Sequence, residues 1–168
     1  MALTTVRLLA QQFRLVASQS GSGSIGTVLT NWEEVDTSYD KIGNVWSQSS
    51  GIFSCANTGI YLCYWAMVIN DNSGGDRFDP AIEISTDTGS NFNTRSLAWG
   101  HADNSDAPKD GTFNNQFMFD VTNTTTFRLR FVQSTSNNVS STSTIVGNTN
   151  YTATNILFIR LGDKLWRI

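Results

Sequence analysis

Apolar and polar residues alternate with a period of two along most of this chain, the pattern of strands half-buried in a sheet. Residues 112–121 set Phe113, Phe117, Phe119 and Val121 on one face, and residues 126–133 answer with Phe127, Leu129 and Phe131 inward and Arg128 and Arg130 outward. A turn at residues 122–124 joins them as a hairpin. Residues 81–85 put Ile82 and Ile84 inward and Glu83 outward. Residues 13–18 read as the first strand, with Phe13, Leu15 and Ala17 on one face; residues 27–35 follow with Val28, Trp32 and Val35 as packing positions, and residues 95–99 and 144–146 add shorter strands. About ten short strands, turns every 8–12 residues and no long helical period predict an all-β, two-sheet sandwich.

Two stretches depart from alternation because both of their faces are apolar. Residues 60–69 carry Tyr61, Cys63, Trp65, Met67 and Ile69 on one face and Ile60, Leu62, Tyr64, Ala66 and Val68 on the other. Residues 155–161 (NILFIRL) repeat the feature. Residues 52–55 run into Ala56-Asn57-Thr58-Gly59, small and turn-forming, so 52–55 and 60–69 are expected to form a hairpin. In a sandwich one face of such a strand meets the opposing sheet. Its other face then needs a second cover, most simply another subunit.

The chain has 168 residues, enough for one domain with a substantial core. Only 15% of residues are charged and the net charge is -3, with polarity supplied by Asn, Ser and Thr. No basic arm is present, which argues against nucleic-acid binding and against a shell protein that packages its own genome. No stretch has membrane-spanning length, and the N-terminal residues lack a secretory apolar region; for a complete chain this predicts synthesis in a cytoplasm without export. The two cysteines are Cys55 and Cys63. In the expected hairpin they face opposite sides of the sheet, or at best lie diagonally at about 7 Å, too far for an unstrained bridge. They read as free, buried thiols of a reducing compartment.

The block Phe53-Ser54-Cys55, a short turn, Gly59-Ile60-Tyr61 and an aromatic strand resembles the tumour-necrosis-factor and complement globular-head superfamily, with residues 156–159 as its closing apolar strand. The resemblance implies a ten-stranded TNF-like jelly roll that forms a tight homotrimer. Tyr61, Tyr64, Trp65, Leu157 and Ile159 are the expected trimer-interface residues. The domain is expected over residues 12–161, between an N-terminal arm (1–11) and a C-terminal tail (162–168). Secreted members carry a signal, an anchor or a collagen-like stalk, and none is visible here. A bare jelly roll with two short arms resembles the virion proteins of tailed bacteriophages. In the superfamily the first and last strands are neighbours, which would gather Val6, Leu8, Leu9, Leu165, Trp166 and Ile168 at one end as docking arms.

The expected function is therefore structural and non-enzymatic: a trimeric capsid decoration or cement protein, made in the host cytoplasm and located in the virion. Its expected partners are other copies of itself and the major capsid protein or another virion protein. The alternatives are a receptor- or glycan-binding fibre tip or adhesin and, further off, a cytokine- or complement-like ligand. His101 is the sole histidine. Without a nucleophile elbow or a His/Glu metalloprotease pattern it reads as a loop residue, and no catalytic residue or cofactor is expected. The acidic loops 71–79 and 103–110 offer oxygen ligands for calcium, but neither has EF-hand spacing, and solvated carboxylates are the simpler reading. Trp32, Trp46 and Trp99 would suit a sugar-binding surface, although tryptophans in sandwiches more often fill cores or interfaces.

Overall fold

The computed structural model describes residues 8–20, 27–36, 41–71, 77–101, 109–133 and 143–163, with the side chains of His101 and Lys109 outside that set. Among the described residues there is no helix. The first strands are β1 (Leu9–Leu15), β2 (Gln19–Ser20), β3 (Thr27–Val28), β4 (Trp32–Glu34) and β5 (Trp46–Ser49). Next come β6 (Ile52–Cys55), β7 (Gly59–Asp71), β8 (Arg77–Phe78), β9 (Pro80–Ser85) and β10 (Asn93–Leu97). The chain continues through β11 (Gly100–His101), β12 (Lys109–Val121), β13 (Arg128–Gln133), β14 (Thr144–Ile145) and β15 (Asn155–Gly162).

β7 is the axis of the first sheet. One of its edges pairs with β12 from Lys109↔Asp71 to Val121↔Gly59. Its other edge pairs with β15 and then with β14. β1 lies beside β15 and β4 beside β1, while β2 flanks β14. The second sheet runs β10-β9-β13-β6-β5, with β3 also on β13, and β8 and β11 form a separate ribbon. All pairings are antiparallel. This is the predicted two-sheet, all-β sandwich.

Inward positions follow the alternation. Phe13, Phe53, Trp65, Phe131 and Phe158 meet in the core, with Phe13–Phe53 and Trp65–Phe131 both edge-to-face at 5.1 Å. Trp46 stacks on Phe158 at 4.1 Å. Such rings each bury on the order of 200 Å² and dominate the stability of a sandwich. Glu83, the outward residue of β9, pairs its carboxylate with Arg130 of β13 at 2.7 Å.

The two expected hairpins are both crossings between sheets. β6 pairs with β5 and β13, not with β7, so residues 56–58 carry the chain from the second sheet to the first. β12 and β13 likewise lie in different sheets. Two strands whose apolar faces point at one core have the same pattern whether they pair edge to edge or face each other across it. The crossing also corrects the cysteines: Cys55 and Cys63 both point into the core, from opposite sheets, and both are free. A hairpin does precede β6. β5 and β6 join through Ser50 (φ 50) and Gly51 (φ 79), two positive angles suited to a tight two-residue turn.

The first strand begins at Leu9, so residues 9–11, expected in the arm, belong to the sheet. Gln11 faces inward there and is 2% exposed. Its Oε1 accepts the backbone N–H of Val45 (3.2 Å) and Trp46 (2.9 Å), and its Nε2 donates to the Trp46 carbonyl (2.8 Å). The β1–β15 register opens at Leu9↔Arg160, so the start of the first strand and the end of the last lie at one end of the sandwich.

Candidate self-association face

The outward face of the first sheet is built by register. Met118, Leu62, Ile159 and Ala10 form one row across β12, β7, β15 and β1; Gln116, Tyr64, Leu157 and Gln12 form the next. Ile60, Val68 and Leu161 extend the apolar area. Met118 is 60% exposed, Leu161 47% and Tyr64 38%, and the aliphatic residues between them are half-buried by their neighbours alone. Tyr64 keeps its hydroxyl satisfied by donating to Asn114 Oδ1 at 2.6 Å. The central strand is thus apolar on both faces for two reasons: one face fills the core, and the other forms a contiguous exposed patch of the kind that marks an association surface.

The five expected interface residues divide between these faces. Tyr64, Leu157 and Ile159 point outward on adjoining rows. Tyr61 and Trp65 do not: both point inward and are fully buried, because β7 alternates and odd-numbered positions meet the second sheet. Trp32 and Trp46 are likewise core residues, 4% and 3% exposed, which removes them from any sugar-binding surface. Trp99, in contrast, is 72% exposed.

At the end where β1 starts and β15 stops, Leu8 is exposed and Leu9 lines a polar groove of about 410 Å³ with Ala56, Asn57, Thr58, Thr124, Arg160 and Asp163. Arg160 is nearly buried; it donates to the Thr58 carbonyl from Nε (3.3 Å) and Nη2 (3.2 Å) and pairs with Asp163. Behind it the Tyr61 hydroxyl (3.0 Å) and the Cys55 thiol (3.2 Å) both donate to the Asn57 carbonyl. Burial raises the pKa of each, and the nearby Cys55 thiol raises that of Tyr61 further, so both stay protonated at neutral pH. Burial raises Cys63 well above its ordinary range too. Among the described residues no base lies beside these thiols, and burial keeps them in the protonated form.

Of the expected docking arms, Val6, Leu165, Trp166 and Ile168 lie outside the described residues, as do the side chain of His101 and the interiors of both acidic loops. The described loop carboxylates go to separate partners: Asp71 accepts from Ser143 (2.9 Å), Asp79 from Arg77 (2.9 Å) and Asp110 from Asn70 (2.7 Å). Among the described residues no three metal-ligating side chains converge.

No protein-family model and no curated relative matches the chain. Among solved structures it is similar to murine APRIL, in a crystal at pH 5.0, with a TM-score of 0.61 and 12% identity over 92% of this chain and 99% of that one. It is similar also to the Eiger TNF of S. frugiperda, with a TM-score of 0.63 and 12% identity over 96% and 98% of the two chains. These likenesses define the class: the fold is a TNF-like jelly roll. They extend over nearly the whole chain, well beyond the block at residues 53–64 that carried the sequence resemblance.

Proposed function

We propose that this protein is a non-enzymatic module that works by binding: a homotrimer closed by the outward face of the first sheet, decorating a virus particle and held there by the end at which both terminal strands finish. The observation that carries the reading is the apolar outer face of β7, β12 and β15 on a molecule whose remaining polarity is mostly Asn, Ser and Thr. TNF-like folds are typically homotrimeric, which supports self-association. Two free, buried thiols support folding in a reducing compartment such as a host cytoplasm. The partner at the docking end is the major capsid protein or another virion protein, and three weak contacts per trimer would add by avidity.

Sedimentation of the native protein from its source, followed by mass spectrometry, tests this. Co-migration with particles of megadalton size is expected, in many copies per particle. Recovery only as a free oligomer would overturn the virion setting. It would favour a second reading, a receptor-binding ligand, which rests on the likeness in fold to APRIL and Eiger TNF.

A further inference from the structure

Trp99 is the most exposed large apolar side chain among the described residues, yet its backbone is firmly held. On one side of it Ala98 N–H donates to the Pro80 carbonyl at 3.1 Å. On the other, Gly100 pairs with Phe78 across the β8–β11 ribbon. Phe78 is fully buried and stacks on Phe113 at 5.8 Å. A Cβ at Gly100 would lie 2.4 Å from Phe113 Cε1, so a residue without a side chain lets the ribbon lie this close to the core.

The indole also has a built support. The Arg77 guanidinium lies over its ring, with Cζ 5.0 Å from the centroid. Asp79 has no exposed surface; its Oδ1 takes Arg77 Nε at 2.9 Å, while its Oδ2 is buried without a hydrogen-bond partner. Gln133, also buried, grips the same segment from both ends, accepting from Asp79 N–H at 3.1 Å and donating to the Arg77 carbonyl at 3.4 Å. A buried carboxylate oxygen left without a partner costs stability, and core packing does not account for it.

We infer that Trp99 and Arg77 form a saccharide-binding subsite. Trp99 is the platform on which the C–H face of a pyranose stacks. Arg77, its Nε committed to Asp79, has Nη1 and Nη2 to donate to hydroxyl or carboxylate oxygens. Asp79 and Gln133 are positioning residues. One indole with a neighbouring half-exposed Leu97 is far too small for a protein partner, which needs about 800 Å² on each side, but it matches one sugar ring. With two side-chain torsions to order, an indole offers its contact area at low entropy cost. The site lies where β7 and β13 end and β9 begins, opposite the end at which β1 starts and β15 stops. It stands on this ribbon alone and is independent of the virion reading.

The test is a printed array of neutral hexose, N-acetylhexosamine and uronate oligosaccharides probed with the intact protein, followed by titration of a binding sugar against the Trp99 indole N–H signal. Binding to at least one class and a shift of that signal are expected. Trp99→Ala should weaken binding by about tenfold or more, as truncation of a stacking residue at a binding centre does. Trp99→Phe should restore part of it, and both variants should keep the wild-type thermal transition because the side chain is exposed. Silence across the array, an unmoved Trp99 signal, or unchanged binding by folded Trp99→Ala would each overturn the assignment.

Discussion

Gln11 shows how one buried amide can tie two sheets together. It stands on β1 of the first sheet and satisfies three backbone groups at Val45 and Trp46, where β5 of the second sheet begins. Gln11→Leu keeps the volume and orphans all three, which should cost about 3 kcal/mol, read as a lower urea midpoint with an unchanged slope. The same amide explains why the strand's start was not legible: a polar residue at an inward position breaks the alternation, and Phe13 then becomes the first visible core residue. Asp87 is a surface counterpart. Hydrogen bonds from the Ser85 hydroxyl and from the Asn91 side chain and backbone hold its carboxyl down to about 2. A lowered folded value contributes stability that is present above the unfolded value of 3.8 and is lost as pH falls through about 2. Asp87→Asn should therefore lose less stability than wild type between those pH values, and Ser85→Ala should move the Asp87 titration upward in an NMR series.

At the level of elements, the crossings decide the architecture. Gly59 opens β7 directly after the chain changes sheets, at φ +142°, and a Cβ there would lie 2.7 Å from Arg160 Nε and 2.8 Å from the Gly162 carbonyl oxygen. Gly59→Ala meets both a disfavoured backbone angle and a fixed carbonyl, and should cost about 2 kcal/mol or more in a thermal or denaturant transition. Strand positions and inward faces were readable from the period of two: Phe127, Leu129, Phe131, Ile82 and Ile84 all lie where alternation places them. Partners were not readable, because edge pairing and face-to-face packing write the same pattern at 52–69 and 112–133. The tight turn at Ser50–Gly51 went unread, because the more conspicuous Asn57–Gly59 segment drew the hairpin to the wrong place.

For the whole molecule, the outward face separates stability from assembly. Tyr64→Asp places a charge among Leu62, Leu157 and Met118 on the outer sheet, where the folded protomer leaves it wet. It should keep the protomer's thermal transition and, on the proposed trimer, reduce the particle from three times the 18.5 kDa chain to one, measured by sedimentation equilibrium. Trp65→Ala, one position along the same strand, should instead cost about 3–5 kcal/mol of folding stability, because its ring packs on Phe131 inside the core. An unchanged oligomer in Tyr64→Asp would move the interface elsewhere. That strand's double apolarity was plain in the sequence, and so was the separation of Tyr61 and Trp65 from Tyr64; which of the two apolar faces met the second sheet was not, because both are equally apolar. Trp99 was legible as a sugar-surface candidate only in the company of Trp32 and Trp46, which the core takes; its neighbours Arg77 and Asp79 were not legible, since they reach it only through the β8–β11 ribbon.

The pairing of β1 with β15 has a mechanical consequence. Hydrogen bonds of an antiparallel ladder lie across the strands, and six residue pairs join these two from Leu9↔Arg160 to Arg14↔Asn155. Force that draws the two chain ends apart peels that ladder one rung at a time from its open end, like a zip fastener. Force between those ends, clamped together, and the far tip of the sandwich pulls β1 and β15 the same way and loads in shear the ladders that hold the pair to its neighbours, β15 on β7 and β1 on β4, many rungs at once. A protomer anchored by its ends is thus toughest against a tug on the Trp99 tip.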